Sequence, residues 1–184
     1  NNCIIKENIT SQNGTIFSGS GFSSANMDTL INCSIINNSV ANGGGGLHAS
    51  NNQQFFMDQC LIANNEVTSL TPTTSGGGID YSVFDNFNSI IINSSIVNNI
   101  MPEGTSEGGG IRSSSSGLSI INSIIYYNQA AIGSNIYGAI DISYSNIGGG
   151  WEGIGNINLD PLFCIIDSSD YTLQNNSPCV GTGL

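Results

Sequence analysis

The sequence predicts an all-β fold, a solenoid of about six stacked parallel coils closed by a C-terminal cap. Three observations carry this: a short recurring motif, a glycine corner that follows it, and a composition suited to strands and turns. The motif is clearest as Asn32-Cys33-Ser34-Ile35-Ile36-Asn37-Asn38 and returns as Gln59-Cys60-Leu61-Ile62-Ala63-Asn64-Asn65 and Asn93-Ser94-Ser95-Ile96-Val97-Asn98-Asn99. Further copies start at Asn2 and Asn122, and a worn one is Tyr144-Ser145-Asn146-Ile147. With the Cys or Ser as origin, an Ile lies two residues on and an Asn five residues on. The origins at 3, 33, 60, 94, 123 and 145 are separated by 30, 27, 34, 29 and 22 residues. A constant local pattern at irregular spacing means a fixed rung joined by loops of variable length.

Within the rung, the origin column (Cys3, Cys33, Cys60, Ser94, Ser123, Ser145) and the Ile column (Ile5, Ile35, Ile62, Ile96, Ile125, Ile147) read as inward. Ile31, Ile92 and Ile121, two residues before the origin, read as inward too, with Asp58 breaking that column. Asn2, Asn32, Gln59, Asn93 and Asn122 stand between them and read as outward amides. This is the period-two alternation of a strand. The glycine corner is Gly44-Gly45-Gly46-Leu47, Gly76-Gly77-Gly78-Ile79 and Gly108-Gly109-Gly110-Ile111, with weaker versions from Gly19 and Gly133. Each coil thus comprises an anchor strand, a variable turn, a corner leading into a second strand, and a third strand such as Phe55-Phe56-Met57 or Ile90-Ile91-Ile92. Parallel stacking places equivalent residues roughly 4.8 Å apart, giving a rod on the order of 30 Å long.

Asn8, Asn38, Asn65, Asn99 and Asn128 share one offset. An inward Asn must satisfy two donors and an acceptor. A stack does so when each amide bonds to the copies above and below, so these residues are expected to form a ladder.

Charged residues make up only 8% of the 184 residues and hydrophobic ones 39%, with a net charge of −11. An Ile-rich, charge-poor chain is not disordered, and Ile with Asn and Gly suits strands and tight turns. Lys6 and Arg112 are the only basic residues, so neither nucleic acid nor an anionic membrane surface is an expected partner. No apolar run is long enough for a transmembrane helix, so membrane insertion is not expected. Five cysteines cannot all pair internally, and Cys3, Cys33 and Cys60 are expected to be small buried hydrophobes, with no metal and no cofactor. The scarcity of Lys beside abundant Asn and Ser suggests an extracellular or cell-surface setting.

The Ile-x-x-Asn and Gly-Gly-Gly-Leu/Ile pairs resemble right-handed parallel β-helix repeats. They are similar to the paired motifs of polymorphic outer-membrane adhesins, with Gly for Ala and Ile for Phe. The segment from Tyr144 through Gly148-Gly149-Gly150-Trp151 to Asp160-Pro161-Leu162-Phe163, then Asp170-Tyr171-Thr172-Leu173 and Ser177-Pro178-Cys179, resembles the close of secreted bacterial β-helix repeat proteins. The resemblance implies a right-handed helix and a secreted, surface-exposed protein. Residues 1–147 are read as coils and 148–184 as a cap of the same domain that covers the last coil and blunts its edge. Cys164 and Cys179 lie in the cap, where a disulfide and two free thiols are both open. At Cys3 the repeat is already running, so either a missing N-terminal part of the chain or another copy stacking end to end is expected to cover that edge.

Candidate chemistry is sparse. Ser23, His48, Asp80, Arg112 and Tyr137 follow the corner and stack on one outward face if the coils are in register. His48, Asp80 and Arg112 could serve acid/base chemistry, and β-helix polysaccharide lyases and hydrolases carry Asp and Arg on such a face. Their usual cluster of calcium-binding carboxylates is missing from this sequence, and the plainer reading is an exposed ion pair. Tyr81, Phe84 and Phe87 crowd one insertion, and Tyr126, Tyr127 and Tyr137 lie on later coils; aromatic faces there could stack on glycans or pack a loop. Asn-x-Ser/Thr sequons occur at Asn8, Asn13, Asn32, Asn37, Asn93 and Asn175, with Asn8 expected to be buried in the ladder. The expected function is a non-catalytic structural or adhesive module, able to assemble into a fibre. The alternative is a carbohydrate-active enzyme or glycan binder.

Overall fold

The computed structural model describes residues 2–10, 21–24, 28–41, 44–50, 54–68, 76–82, 88–102, 104, 106–166 and 170–183. Asn13, Gly19, Phe84 and Phe87 lie outside this set. The first coil comprises β1 (Cys3–Lys6), β2 (Ile9–Thr10), β3 (Phe22–Ser24) and β4 (Asp28–Ile31). The second comprises β5 (Cys33–Ile36), β6 (Ser39–Val40), β7 (Leu47–Ser50) and β8 (Phe55–Asp58), and the third β9 (Leu61–Ala63), β10 (Glu66–Val67), β11 (Ile79–Ser82) and β12 (Ser89–Ile92). Then follow β13 (Ser95–Val97), β14 (Ile111–Ser113) and β15 (Leu118–Ile121), next β16 (Ile124–Tyr126), β17 (Ile136–Tyr137) and β18 (Asp141–Ser143), and last β19 (Asn146–Ile147).

These strands stack in parallel into four sheets, which makes the chain a β-solenoid. The anchor sheet is six-stranded (β1-β5-β9-β13-β16-β19), and two further sheets are five-stranded (β17-β14-β11-β7-β3 and β18-β15-β12-β8-β4). The fourth, at the corner after the anchor, has only β10, β6 and β2. The expectation of about six equivalent coils therefore narrows to about three complete turns. In the next coil the corner keeps isolated bridges at Ile100, from Glu66 and to Gln129, and Pro102 removes the donor that would extend the ladder.

Register in the anchor sheet aligns Ile5 with Ile35, Ile35 with Ile62, Ile62 with Ile96, Ile96 with Ile125 and Ile125 with Ile147. Ile35, Ile62, Ile96 and Ile125 are fully buried, each contributing roughly 1.5–3 kcal/mol of transfer free energy. Leu30, Met57, Ile91, Ile120 and Ile142 form the matching inward column of the third face. Ile31, Ile92 and Ile121, expected inside, are instead partly or largely exposed. The reason is backbone geometry. Asn32, Gln59, Asn93, Asn122 and Tyr144 all sit at φ between 51° and 56°, so the residue before each origin from Cys33 onward is a left-handed corner that resets the alternation. A second left-handed column follows the anchor at Glu7, Asn37, Asn64, Asn98 and Tyr127. Asn tolerates this conformation better than most residues, which explains its use at both corners.

The expected Asn ladder is present. Asn38, Asn65 and Asn99 each donate Nδ2 to Oδ1 of the next Asn at 2.9 Å, ending on Asn128. The same Oδ1 accepts the backbone N–H of the preceding Asn at 3.1, 3.0 and 2.9 Å. The second amide hydrogen reaches an Ile carbonyl one coil back, as from Asn65 to Ile35 and from Asn99 to Ile62. Asn135 takes the next place, accepting from Asn128 and donating to the Gly148 carbonyl. Asn8, expected to be buried, is exposed at the near end and bonded to Asn38.

The origin column is a second ladder. Cys60 N–H donates to Ser94 Oγ at 3.1 Å, Ser94 to Ser123 at 3.1 Å, Ser123 to Ser145 at 3.0 Å, and Ser145 to Asn156 Oδ1 at 3.0 Å. Each Ser hydroxyl in turn donates to the carbonyl two residues back. Cys33 and Cys60 are buried within this ladder and hydrogen-bonded rather than acting only as small hydrophobes, whereas Cys3 is exposed.

The glycine corner brings coils too close for a side chain. A Cβ on Gly77 would lie 2.3 Å from the Gly109 carbonyl oxygen, and one on Gly45 2.2 Å from that of Gly77.

The closing segment does two things. Residues around Trp151–Ile157 cover the last coil: Ile157 bridges Asn146, Asn156 ends the Ser ladder, and Trp151 packs on the core. Beyond Asp160 the chain departs from the expected cap and turns back along the outer face of the anchor sheet. There β20 (Phe163–Ile165) and β21 (Asp170–Leu173) pair antiparallel, and Phe163 buries against Ala63, Val97, Tyr126 and Tyr171. The reason is apolar residues on the outside of that sheet, which the hairpin covers.

Candidate functional site

The face after the glycine corner forms as its register predicts. Ser23 aligns with His48, His48 with Asp80, Asp80 with Arg112 and Arg112 with Tyr137. Its burial does not match the expectation of an exposed pair. His48, Asp80 and Arg112 are 5%, 2% and 8% exposed. His48 Nδ1 lies 2.9 Å from Asp80 Oδ2, and Arg112 Nη1 donates to Asp80 Oδ1 at 3.2 Å. Ser82 donates to the same carboxylate. Arg112 Nε is buried and faces Glu107 Oε2 at 3.5 Å, an ion-pair distance too long for a good hydrogen bond. Glu107 in turn accepts from the Tyr137 hydroxyl, and this bond raises the Tyr137 pKa above its ordinary 10.0. The Asp80 carboxylate is thus occupied by three neighbours, an arrangement suited to holding coils together. A buried charge network of this kind is strongly destabilised when one member is removed.

The aromatic residues divide. Tyr81 is not a surface residue: it points into the core at 0% exposure, between the small partners Ala49 and Ser113 of the adjacent coils. Its hydroxyl donates to Ser89 Oγ at 3.0 Å, and burial raises its pKa. Tyr126 is half-buried beneath the C-terminal hairpin, stacked edge-on to Tyr127 at 4.8 Å. Phe163 joins Tyr127 to Tyr171, with centroids 6.5 and 5.4 Å away. Tyr137 remains partly exposed. Phe84 lies outside the described residues.

Cys164 is exposed and Cys179 accepts from Asn146 Nδ2 at 3.0 Å; of the two outcomes left open for them, the structure has free thiols. Among the described residues no group of three or more His, Cys, Asp or Glu side chains is placed to hold a metal ion.

The anchor-sheet outer face carries what motif reading missed. The left-handed Asn32, Gln59, Asn93 and Asn122 form an amide row in which Asn122 Nδ2 donates to Asn93 Oδ1 at 2.6 Å and Asn93 Nδ2 to Asp58 Oδ1 at 2.9 Å. The row runs beside the C-terminal arm, whose Tyr171 hydroxyl reaches Asn64 Oδ1 at 2.5 Å. Tyr127 donates to Asp160 Oδ1 at 2.7 Å and ties down the start of that arm.

Family models, curated proteins and solved structures were compared with this chain, and none matches. Any functional reading therefore rests on this geometry and on the repeat itself. Legible signals existed for the amide row, since Asn or Gln stands before five of the six origins. The path of the arm had none, because it has no repeat to align.

Proposed function

We propose that the chain is a non-catalytic structural and adhesive β-helix module, displayed outside the cell or on its surface. The observation that carries this reading is the closure of the buried polar groups on one another. The Asn ladder, the Cys/Ser ladder and the His48–Asp80–Arg112 network all bond along the solenoid axis. Such bonding resists shear between coils and leaves the Asp80 carboxylate, 2% exposed, poorly placed to meet a substrate. The repeat's similarity to bacterial surface β-helix proteins and the low charge content support the same reading. End-to-end assembly of copies is part of the same proposal.

The test uses the purified chain coupled to beads. Retention under flow is scored on immobilised glycans, matrix proteins and cells, and the supernatant is assayed for new reducing ends and unsaturated sugars. The reading expects retention on at least one surface without product. Multiple-turnover product release, or no retention on any surface, would overturn it.

A further inference from the structure

Two crevices flank the C-terminal arm and meet on the amide row. One, about 460 Å³, is lined by Asn32, Gln59 and Asn93 with Asp170 and Tyr171 opposite. The other, about 270 Å³, continues from Asn93 past Asn122. Asn93 and Ser95 line both, so the two make one trough that crosses successive rungs of the anchor sheet.

The row is rigidly presented. Asn32, Gln59, Asn93 and Asn122 share left-handed φ values of 56°, 53°, 51° and 51°, and parallel stacking repeats them at roughly 4.8 Å. The Asn32 and Gln59 side chains are exposed and carry no hydrogen bond among the described residues. Each planar amide offers a donor and an acceptor side by side. Ser34, Ser95 and Thr172 add hydroxyls along the same walls.

We propose that this trough binds a neutral linear oligosaccharide lying along the amide row. Sugar hydroxyls are both donors and acceptors, and adjacent pairs of them match the two edges of an amide. Among the described residues that line it, the trough holds one charged side chain, Asp170, and no cation. Asp170 Oδ1 is engaged by Thr172, whose hydroxyl and backbone N–H hold the carboxyl below its ordinary 3.8. An ionised Asp170 on a chain of net charge −11 accepts hydroxyl donors and repels uronic or sulfated sugars. The proposal rests on the adhesive reading and names the ligand class it would use.

The experiment is a titration of ¹⁵N-labelled protein with cello-, chito- and malto-oligosaccharides, with an oligogalacturonide as the acidic control. One neutral series is expected to shift the amide resonances of Asn32, Gln59, Asn93 and Asp170–Thr172. The combined Asn32→Ala and Gln59→Ala substitutions are expected to weaken that binding about tenfold, whereas Tyr137→Phe on another face leaves it unchanged. The proposal is overturned if no neutral series shifts those resonances, if the oligogalacturonide binds as tightly, or if the double variant binds as well as the parent. Beads retained on protein or cell surfaces while no sugar shifts the trough would remove this site and leave the adhesive reading standing. Sugar binding without bead retention would do the reverse.

Discussion

Asn65 and Asn99 are joined twice through one oxygen: the backbone N–H and the side-chain Nδ2 of Asn65 both donate to Asn99 Oδ1, at 3.0 and 2.9 Å. Asn65 Oδ1 accepts the same pair from Asn38. Asn65→Ala therefore strands both Asn38 donors and takes a donor from the Ile35 carbonyl, all buried on the preceding coil, while Asn99 Oδ1 keeps the backbone N–H. Each such group costs about 1–3 kcal/mol, so the variant is expected to lose roughly 3 kcal/mol or more in urea unfolding. Asn8→Ala, at the exposed end, should cost under about 0.5 kcal/mol. Equal losses would show that position in the ladder is irrelevant.

Asp80 is the hub of the buried charge network. Asp80→Ala leaves Arg112 and His48 facing each other without their anion, a loss of about 3–5 kcal/mol. A stability change within about 0.5 kcal/mol, the range of an ordinary surface substitution, would mean that the network is solvated.

Gly77→Ala addresses the corner. Its Cβ would meet a backbone oxygen, which cannot rotate away, so the coils must separate locally. The expected result is a loss of about 1–3 kcal/mol by the measure of overpacked cores, read as a lowered Tm. An unchanged Tm would show that the coils can spread without strain.

Cys60→Ser tests the origin ladder from the opposite direction. Ser already fills this position at 94, 123 and 145 and makes the same two bonds. Stability should stay within about 1 kcal/mol of the parent, the net worth of one hydrogen bond. Cys60→Val removes both bonds and should cost more. If Val proves better than Ser, the column is purely hydrophobic.

The arm responds to pH at both ends of the scale. Asp160 accepts from the Leu162 N–H and from the Tyr127 hydroxyl, and these hold its carboxyl below 3.8. Burial, together with the Asp160 bond, pushes Tyr127 up to about 12 from 10.0. A lowered carboxyl stabilises docking above its unfolded pKa and loses that contribution as pH falls through the lower folded value. A raised phenol stabilises below 10.0 and loses it as pH rises towards about 12. Ring-current shifts of Phe163 followed by NMR should thus diminish in both windows. Shifts that stay constant through both would contradict the Tyr127–Asp160 tie.

Much of the fold is legible because its determinants recur at fixed offsets. The Ile column, the Asn ladder and the glycine corners each repeat, and repetition separates them from chance. Left-handed corners are harder to read, since a residue that resets the strand alternation looks like one more outward position; this misplaced Ile31, Ile92 and Ile121. The burial of Tyr81 has no local mark, because only the register with Ala49 and Ser113 reveals space for it. The alignment of His48, Asp80 and Arg112 was readable, but their burial was not. Nothing local signalled that Phe163 returns to Val97 or Tyr171 to Asn64, since such contacts depend on the tertiary surface alone.

The ladder also makes the most direct measurement possible. The backbone amides of Asn38, Asn65 and Asn99 each donate to a side-chain oxygen one coil away. If stacked asparagines hold the solenoid together, native-state hydrogen exchange at these amides proceeds only through global unfolding. Exchange at the rate of exposed turn amides, with the sheets still protected, would contradict the ladder and the rigid module built on it.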